Sequence, residues 1–383
     1  MTSPPSPHAE VVVDLGAIRH NVRRLRELVT EDGSTPPQLM VVVKADAYGH
    51  GMLPVARAAR AAGAEWLGVS TGDEALALRR AGDTGRLLCW LAAPGADYRD
   101  LIALDVDVTT YSVRQLEEIV DSARGAGRVA RLQIKFDTGL SRGGAPRSEW
   151  QQLVAAARTA EQDGSIRVTG LWSHLACSDE PQHPANAAQL AAFNEALALA
   201  DQAGLDPEVR HLANSAGAIL HPGARHELVR LGIAVYGLSP APDVRSSEDL
   251  GLVAAMTVRG SVVLTKELAA SEGVSYGHTY TTRSATQLAV VPIGYGDGVP
   301  RQASNAAQVQ LGGHRYRIAG RVCMDQFVLD VGEAHAAAGD RVVLFGPGDD
   351  GEPTAQDWAD AVGTINYEIV TRLGARVPRE HVG

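Results

Sequence analysis

Eight short apolar runs, rich in β-branched residues, recur between residues 39 and 236 of this 383-residue chain. Alanine-rich stretches with the apolar spacing of helices separate them. Strands that are apolar throughout and alternate with helices are typical of a parallel sheet covered on both faces, and eight such units predict a (β/α)8 barrel of the TIM type. The runs lie at 39–43, 66–70, 86–91, 106–109, 130–136, 168–173, 209–212 and 229–235.

The segments around the barrel predict a second domain. A helix at 15–29, with Asp14 as its N-cap, precedes the first barrel strand. After a polar stretch at 239–249, further runs predict strands broken by glycines, at 254–264, 287–292, 307–311, 315–318, 327–330 and 341–345. The predicted α/β chain therefore has a disordered tail (1–8), a strand that joins the C-terminal domain (9–14), a (β/α)8 barrel (15–240) and a mostly β-strand domain (241–383).

Charge and cysteine content limit the partners and the location. The chain has 45 acidic and 35 basic residues, a formal net charge of −10, so we expect no nucleic-acid partner. No apolar stretch approaches the ~20 residues that cross a membrane, and the first residues lack the basic and apolar regions of a secretion signal. Cys89, Cys177 and Cys323 are too far apart for metal or redox pairs. We expect a soluble cytoplasmic protein.

Reactive side chains follow five of the predicted barrel strands. In such a barrel the active site lies at the carboxyl ends of the strands, so these side chains would meet at one mouth. Together they supply an amine, a phenol, two guanidiniums, an imidazole and a hydroxyl. They belong to Lys44 and Tyr48 after the first strand, Arg142 after the fifth, His174 after the sixth, Asn214 and Ser215 after the seventh, and Arg230, Gly232 and Ile233 at the eighth.

Lys44 is the strongest candidate for a reactive amine. Only three of the 35 basic residues are lysines, Lys44, Lys135 and Lys266, and arginine stays protonated in proteins. Four apolar residues precede Lys44, so its side chain would be partly desolvated, which lowers the pKa of an amine. A surface lysine in a strand-to-helix loop is the alternative. The rarity of lysine and the polar residues at the other strand ends favour the reactive amine.

The last two strand ends predict a phosphate site. Ser215 lies where a short helix would start, and Gly232 and Ile233 follow the eighth strand. Backbone N–H groups at such positions bind phosphate, although a simple helix cap is the alternative for Asn214 and Ser215. A phosphate site opposite a lysine suggests a phosphorylated aldehyde held as a Schiff base, namely pyridoxal phosphate.

Two other patterns predict no chemistry. Residues 346–351 read Gly-Pro-Gly-Asp-Asp-Gly, but Pro347 lacks an N–H, the aspartates repel phosphate and the context is rich in strands, so we interpret the segment as a turn and not as a dinucleotide site. His211, His221 and His226 lack carboxylate or cysteine partners at ligand spacing. We expect structural or surface roles for these histidines and no metal site.

The segment at 43–51, Val-Lys-Ala-Asp-Ala-Tyr-Gly-His-Gly, resembles the signature around the cofactor lysine of alanine racemases. Further matches cover almost the whole chain, at 135–139 with Arg142, and at 211–215, 294–298, 323–326 and 366–368. The resemblance implies a barrel, a β domain, pyridoxal phosphate and a head-to-tail homodimer whose sites each borrow residues from the partner's β domain. Asp46 and Leu140 depart from the usual asparagine and methionine.

The resemblance also implies roles around the cofactor. Lys44 would form the Schiff base, and Arg230 would face the pyridine nitrogen, which stays unprotonated because a guanidinium cannot accept a hydrogen bond. Arg142 would contact the cofactor phenolate and, with the Met324 N–H, the substrate carboxylate. His174 would stack beside the ring, and Asn214 would also contact the cofactor. The implied phosphate cradle consists of Tyr48, Ser215, Gly232, Ile233 and Tyr367.

The implied reaction is racemisation, which removes a proton from one face of Cα and delivers one to the other. By resemblance, Lys44 serves the D-face and Tyr276 of the other chain, linked to Arg230 through His174, serves the L-face. Lys135 matches a position that can carry a carbamylated lysine orienting Arg142, with a plain buried ion pair as the alternative. The residues implied behind the site or at its entrance are Lys135, Asp179, Tyr295, Arg301 and Asp325.

The function implied is the interconversion of L- and D-alanine, which supplies D-alanine for peptidoglycan. A broad-spectrum or serine racemase on the same scaffold is one alternative, which Tyr367 disfavours by narrowing the entrance beside the substrate side chain. A non-catalytic pyridoxal phosphate carrier is another, but it would lack the ~140 residues after Gly237. A related decarboxylase would require a glycine-rich phosphate loop, which the chain lacks.

Overall fold

The computed structural model describes residues 8–31, 33 and 35–383, so the predicted tail lies, except for His8, outside the described residues. The chain begins with strand β1 (Ala9–Asp14) and helix α1 (Leu15–Leu28). The Asp14 carboxylate accepts hydrogen bonds from the N–H groups of Gly16, at 2.6 Å, and Ala17, at 3.2 Å. The predicted N-cap is therefore confirmed.

Eight parallel strands form the barrel, in the order β8-β7-β6-β5-β4-β3-β2-β9. They are β2 (Gln38–Val42), β3 (Trp66–Val69), β4 (Arg86–Cys89), β5 (Asp107–Thr110), β6 (Ala130–Lys135), β7 (Ile166–Trp172), β8 (Val209–His211) and β9 (Leu228–Leu231). The Arg230 N–H donates to the Ala213 carbonyl at 3.0 Å and so bridges the two ends of the sheet. The predicted (β/α)8 barrel is confirmed.

Helical segments connect the barrel strands. The α-helical segments are α2 (Lys44–Tyr48), α3 (Met52–Ala61), α4 (Gly72–Arg80), α5 (Arg99–Ala103), α6 (Val113–Ala126), α7 (Trp150–Gln162), α8 (Pro184–Gln202) and α9 (Ser215–Leu220). Short 3-10 helices occupy Arg147–Glu149, Pro222–Ala224 and Ile233–Tyr236. The prediction of one strand over 229–235 was wrong, because the strand ends at Leu231 and the backbone turns at Gly232 (φ −104°, ψ −106°).

The remaining strands belong to the second domain. They are β10 (Met256–Ser261), β11 (Leu264–Leu268), β12 (Gly273–Val274), β13 (Tyr280–Thr281), β14 (Thr286–Val291), β15 (Gln308–Leu311), β16 (His314–Arg317), β17 (Phe327–Gly332), β18 (Arg341–Phe345) and β19 (Arg379–Val382). They form a six-stranded sheet, β16-β15-β18-β10-β1-β19, a three-stranded sheet, β11-β14-β17, and the pair β12-β13. The predicted mostly β-strand second domain is confirmed.

Both ends of the described chain meet in the six-stranded sheet. Strand β1 pairs antiparallel with β10 and parallel with β19. Strands β12, β13 and β19 were not predicted, and the strand predicted at 254–264 is β10, which ends at Ser261, so that all but the first residue of β11 was missed. Also not predicted were helices α10 (Ala355–Val362) and α11 (Asn366–Thr371) and the 3-10 helices Tyr276–His278, Tyr295–Asp297 and Arg301–Ala303. Within the described residues, every helix is too short or too polar to span a lipid bilayer.

Candidate active site

A cavity of about 400 Å³ opens at the carboxyl ends of the barrel strands. All the barrel residues predicted to bind a cofactor line it, together with Tyr367 from α11: Lys44, Tyr48, Arg142, His174, Asn214, Ser215, Arg230, Gly232 and Ile233. The rest of the wall consists of Val42, Trp90, Lys135, Trp172 and Thr371. The structure thus gathers, in one place, side chains from six strand ends, those of β2, β4, β6, β7, β8 and β9.

The turn that carries Lys44 has a left-handed backbone. φ is 53° at Ala45, Asp46 and Ala47 and 54° at Tyr48. This conformation costs roughly 1–2 kcal/mol per non-glycine residue, so neighbouring groups must hold it. The Glu74 carboxylate does so by accepting the Ala45 N–H at 2.7 Å. The turn brings both Lys44 and Tyr48 to the cavity wall.

The Lys44 amine lies in surroundings that favour its neutral form. Burial lowers its pKa, and the Arg142 cation lowers it further, whereas the Glu74 carboxylate acts in the opposite direction. Its Nζ lies 5.8 Å from the centroid of the Trp90 ring. A half-buried amine with a lowered pKa is a better nucleophile and base at neutral pH than an exposed lysine.

Arg230 is the buried cation at the centre of the site. Its Nη1 donates to Nδ1 of His211 at 2.8 Å, and its Nη2 donates to the carbonyls of Ser173, at 2.8 Å, and Leu212, at 3.0 Å. Burial lowers its pKa to about 9, so it remains a cation at neutral pH. Within the described ranges its Nε donates to no residue and its Nη1 donates only to His211, which leaves two N–H groups for a ligand.

Arg230 also fixes the tautomers of its two histidine neighbours. Its Nη2 lies 3.1 Å from Nδ1 of His174, and a guanidinium can only donate, so Nδ1 accepts and the His174 proton is on Nε2. By the same argument His211 donates from Nε2 to Oε1 of Gln133, at 2.8 Å. Burial, followed by the Arg230 cation, holds the pKa of His174 well below its usual value. His174 is therefore neutral.

The ends of β8 and β9 meet at one side of the cavity. The Asn214 side chain caps α9 by accepting the Gly217 N–H at 2.9 Å, so the capping interpretation of Asn214 is correct. The Ser215 hydroxyl accepts the Gly232 N–H at 2.8 Å. A Cβ at Gly232 would lie 2.5 Å from the Tyr48 hydroxyl, so only glycine fits beside Tyr48. Burial raises the pKa of Tyr48, which keeps its phenol protonated and able to donate.

Lys135 lies against Trp172, and no ion pair joins it to any of the described residues. Its Nζ is 4.4 Å from the centroid of the Trp172 ring. Burial lowers the pKa of Lys135 to about 8, helped by the cations Arg230 and Arg142. The indole Nε1 of Trp172 is buried and lacks a hydrogen-bond partner in the described part of the chain. This corner of the cavity therefore presents several donors and little negative charge.

Tyr276 and Met324 do not reach this cavity on their own chain. Their exposed fractions are 69% and 52%, high values for large apolar side chains. The segments that carry them are bonded together, since the Ser275 hydroxyl donates to the Arg321 carbonyl at 2.6 Å. The Gly296 N–H donates to the Met324 carbonyl and adds the Tyr295 segment. These loops form one exposed patch.

Family models match both domains of the chain. The model described as alanine racemase, N-terminal domain, matches residues 13–240, and that described as alanine racemase, C-terminal domain, matches residues 255–381. The chain belongs to the alanine racemase family. It is therefore an enzyme of the isomerase class.

Relatives in the family are similar over nearly their whole length. The chain is 57% identical to the alanine racemase of Salinispora tropica over 376 residues, 98% of both chains. It is 52% identical to that of Streptomyces coelicolor over 379 residues, 98% of this chain and 96% of the relative. The crystal structure of alanine racemase from a D-cycloserine-producing Streptomyces lavendulae superposes with a TM-score of 0.97 at 50% identity, covering 99% of this chain and 98% of that one.

Both departures from the family pattern lie beside the cavity and not in it. The Asp46 carboxylate accepts the Met52 N–H at 2.7 Å, which an asparagine oxygen could also do. Leu140 lines an adjoining cavity of about 670 Å³ that reaches Arg142, His174 and Tyr367. Asp179, expected at the entrance from the family resemblance, lines the same adjoining cavity.

The other residues expected at the entrance lie in the second domain. Asp325 is paired with Arg376 at 2.8 Å, and Tyr295 belongs to the exposed patch. Arg301 begins a short 3-10 helix whose Ser304 hydroxyl accepts the Val322 N–H, next to the family motif at 323–326. Within a single chain none of the three lines the main cavity.

Sequence reasoning missed the two tryptophans of the cavity. Trp90 follows β4 and Trp172 ends β7, so both occupy carboxyl strand ends, the position that identified the other site residues. Only polar side chains at strand ends suggest chemistry from sequence alone, and a tryptophan in this position is indistinguishable from a residue of the barrel core. Val42 and Thr371 carried no chemical signal.

The remaining sequence patterns have structural roles. The N–H groups of Gly348 and Asp350 donate to the Glu352 carboxylate at 2.8 and 2.9 Å, so the glycine-rich segment is a turn whose donors are already used. His211 bonds to Arg230, and His221 contacts the Ser178 carbonyl at 3.0 Å. Among the described residues, no cluster of three or more potential ligands could hold a metal ion.

Proposed function

We propose that the chain interconverts L- and D-alanine with pyridoxal phosphate and so supplies D-alanine for peptidoglycan. The observation that carries the proposal is the placement of the Lys44 amine, the buried Arg230 cation and the hydroxyls of Tyr48, Ser215 and Tyr367 around one cavity. Relatives up to 57% identical over nearly the full chain are named alanine racemase.

The cavity fits pyridoxal phosphate at each of its functional groups. The Tyr48 hydroxyl packs against the backbone at Gly232, and Ser215 and Ile233, as first residues of their helices, have N–H groups without an intrahelical acceptor. These donors suit a phosphate. The lowered pKa of Lys44 suits covalent attachment to an aldehyde, and Arg142 suits a phenolate.

When bound, pyridoxal phosphate withdraws electrons from the Cα of an attached amino acid and so acidifies its proton. Arg230 would limit this electron withdrawal, because its guanidinium can donate a hydrogen bond to the pyridine nitrogen but cannot accept one from a protonated nitrogen. With Arg230 in this position, the pyridine nitrogen would remain unprotonated and would withdraw fewer electrons. Arg230 would therefore favour return of the proton to Cα over its transfer to another carbon, which would be transamination.

Two bases on opposite sides of Cα complete the proposal. Lys44 moves the proton on the D-face, helped by its lowered pKa. Tyr276 from a second copy of the chain moves it on the L-face, which is supported by the exposure of Tyr276 and its absence from the cavity of its own chain. The homodimer would also bring the Met324 N–H to the substrate carboxylate beside Arg142. We place this dimer in the cytoplasm, in line with three free cysteines.

The substrate can be tested with one panel. The purified protein, loaded with pyridoxal phosphate, is given L-alanine, L-serine and larger L-amino acids, and the D-product is detected with D-amino acid oxidase. Because Trp90 and Tyr367 narrow the cavity, we expect alanine to be preferred over serine by roughly tenfold to 100-fold in kcat/KM. Similar turnover of several amino acids would indicate a broad-spectrum racemase instead. Cofactor binding without turnover would indicate a carrier.

A further inference from the structure

Strand β19 reaches from the second domain to the turn that carries Lys44. We propose that Arg379 and His381 are positioning residues, which hold the left-handed turn at 44–51 and thereby set Lys44 relative to Tyr367. The effect on catalysis rests on the proposed function, whereas the effect on the turn does not.

Strand pairing places both side chains on one face. β19 runs parallel to β1, with Arg379 opposite Val11 and His381 opposite Val13. Side chains two residues apart on a strand point to the same side. Both therefore project from the six-stranded sheet toward the start of the barrel. The register of β19 on β1 therefore determines which part of the barrel these two side chains contact.

Arg379 joins the two segments that supply the cavity. Its Nε donates to the Gly49 carbonyl at 2.7 Å, directly after Tyr48. Its Nη2 donates to the Leu373 carbonyl at 2.8 Å, and its Nη1 lies within bonding distance of the carbonyls of Gly374 and Val377, at 3.3 and 3.2 Å. Leu373 follows α11, which carries Tyr367. One guanidinium thus fixes the Lys44 turn against the segment that presents Tyr367.

His381 fixes the next residue of the turn. Its Nε2 lies 2.8 Å from the His50 carbonyl, which can only accept, so Nε2 donates. A Cβ at Gly51, where φ is +94°, would lie 2.5 Å from the same Nε2, so the ring packs directly on Gly51. His381 thereby holds the turn at His50 and Gly51, next to the bond that Arg379 makes at Gly49.

The two carbonyls have no other donor among residues 8–31, 33 and 35–383. Gly49 and His50 are both buried, and a buried carbonyl without a partner is destabilising. The four preceding residues are strained, with φ near +53°. Without Arg379 and His381, a change of the backbone would relieve the strain of the turn and would break neither of these hydrogen bonds. Lys44 would then move with the turn.

Hydrogen exchange on the full-length protein tests the inference. The variants are Arg379→Met and the milder His381→Phe, which keeps a ring and removes the donor. Arg79→Met is the matched control, because Arg79 donates to four carbonyls, those of Asp83, Gly85, Leu104 and Asp105, far from the cavity lining. We expect the amides of residues 45–51 to exchange at least about tenfold faster in both variants and at the parental rate in the control.

Cofactor binding and kinetics then show whether the turn positions Lys44. We expect Arg379→Met to weaken pyridoxal phosphate binding about tenfold and to lower kcat about tenfold, with the KM for alanine within about twofold, and Arg379→Lys to recover part of each. Unchanged exchange at 45–51 in both variants would overturn the inference. So would faster exchange with parental cofactor affinity and kcat. A parent without racemase activity would refute the proposed function alone, since exchange still measures the hold on the turn.

Discussion

Lys44 is the residue on which the proposed chemistry depends most directly. Lys44→Ala should abolish the covalent attachment of pyridoxal phosphate, because Lys266 is exposed on β11 and Lys135, although it lines the cavity, has its amine packed over the Trp172 ring. The measurement is the visible absorbance of the bound cofactor and the mass of the adduct after borohydride reduction. Lys266→Ala is the control and should keep both signals. An adduct retained in the Lys44 variant would refute the assignment.

Arg230 is expected to decide which product forms. Arg230→Glu replaces a group that only donates with one that can share a proton with the pyridine nitrogen, so racemisation should fall at least tenfold and transamination should rise. The ratio of D-alanine to pyruvate formed measures this partition. Arg230→Lys is the comparison, since it keeps the charge and restores part of the ratio if charge matters. A parental ratio in Arg230→Glu would show that Arg230 does not face the ring.

At the scale of elements, the α2 turn connects the stability of the fold to pH through His50. Its Nδ1 contacts the carbonyls of Ala47 and Tyr48, and burial lowers its pKa to about 4, from about 6.5 when unfolded. The unfolded chain then binds the proton more readily, so stability is complete above pH 6.5 and falls toward pH 4. The loss at pH 5 is about 2 kcal/mol relative to pH 7.5.

His50→Gln should remove this part of the pH dependence, because glutamine keeps an N–H donor and does not titrate. Denaturant unfolding at pH 7.5 and pH 5 gives the comparison. The parent should lose more stability between the two values than the variant does, by about 2 kcal/mol. Equal losses would mean that folding does not lower the pKa of His50.

The barrel elements could be predicted because their strands are buried on both faces, which leaves a continuous apolar signal. The second domain was harder, since short strands such as β12 and β13 have two residues each. Helix α10 had a readable signal, a capping box between Thr354 and Asp357, which the analysis overlooked because the surroundings were rich in strands. Element type was therefore clearest where burial was most uniform.

The site could be predicted where strand ends carry polar groups, and less well elsewhere. Lys44, Arg142, His174 and Arg230 followed from position and chemistry, whereas Tyr276 and Met324 came only from the family resemblance. The left-handed turn was not predictable, because Ala-Asp-Ala-Tyr contains no glycine and the turn is held by Glu74 and β19, which are distant in sequence. Long-range hydrogen bonds of this kind leave no local pattern.

At the scale of the whole molecule, the proposed dimer can be tested by mixing two inactive variants. Lys44→Ala and Tyr276→Phe are dissociated together and allowed to reassociate. If each site uses Lys44 of one copy and Tyr276 of the other, a mixed dimer has one intact site, and about a quarter of the parental activity should return. Each variant treated alone is the control. Heterodimers, verified by mass, that recover no activity would contradict shared sites.

The pairing of β1 with both β10 and β19 also determines when the protein can become active during synthesis. β1 leaves the ribosome before every other described element, yet its partners begin at residues 256 and 379. The barrel strands are all translated after β1 and before β10, so they can assemble before β1 has a partner strand. β19 emerges after every other described element, and it brings Arg379 and His381 to the Lys44 turn. The nascent chain therefore contains every barrel strand well before it contains the residues that hold the Lys44 turn.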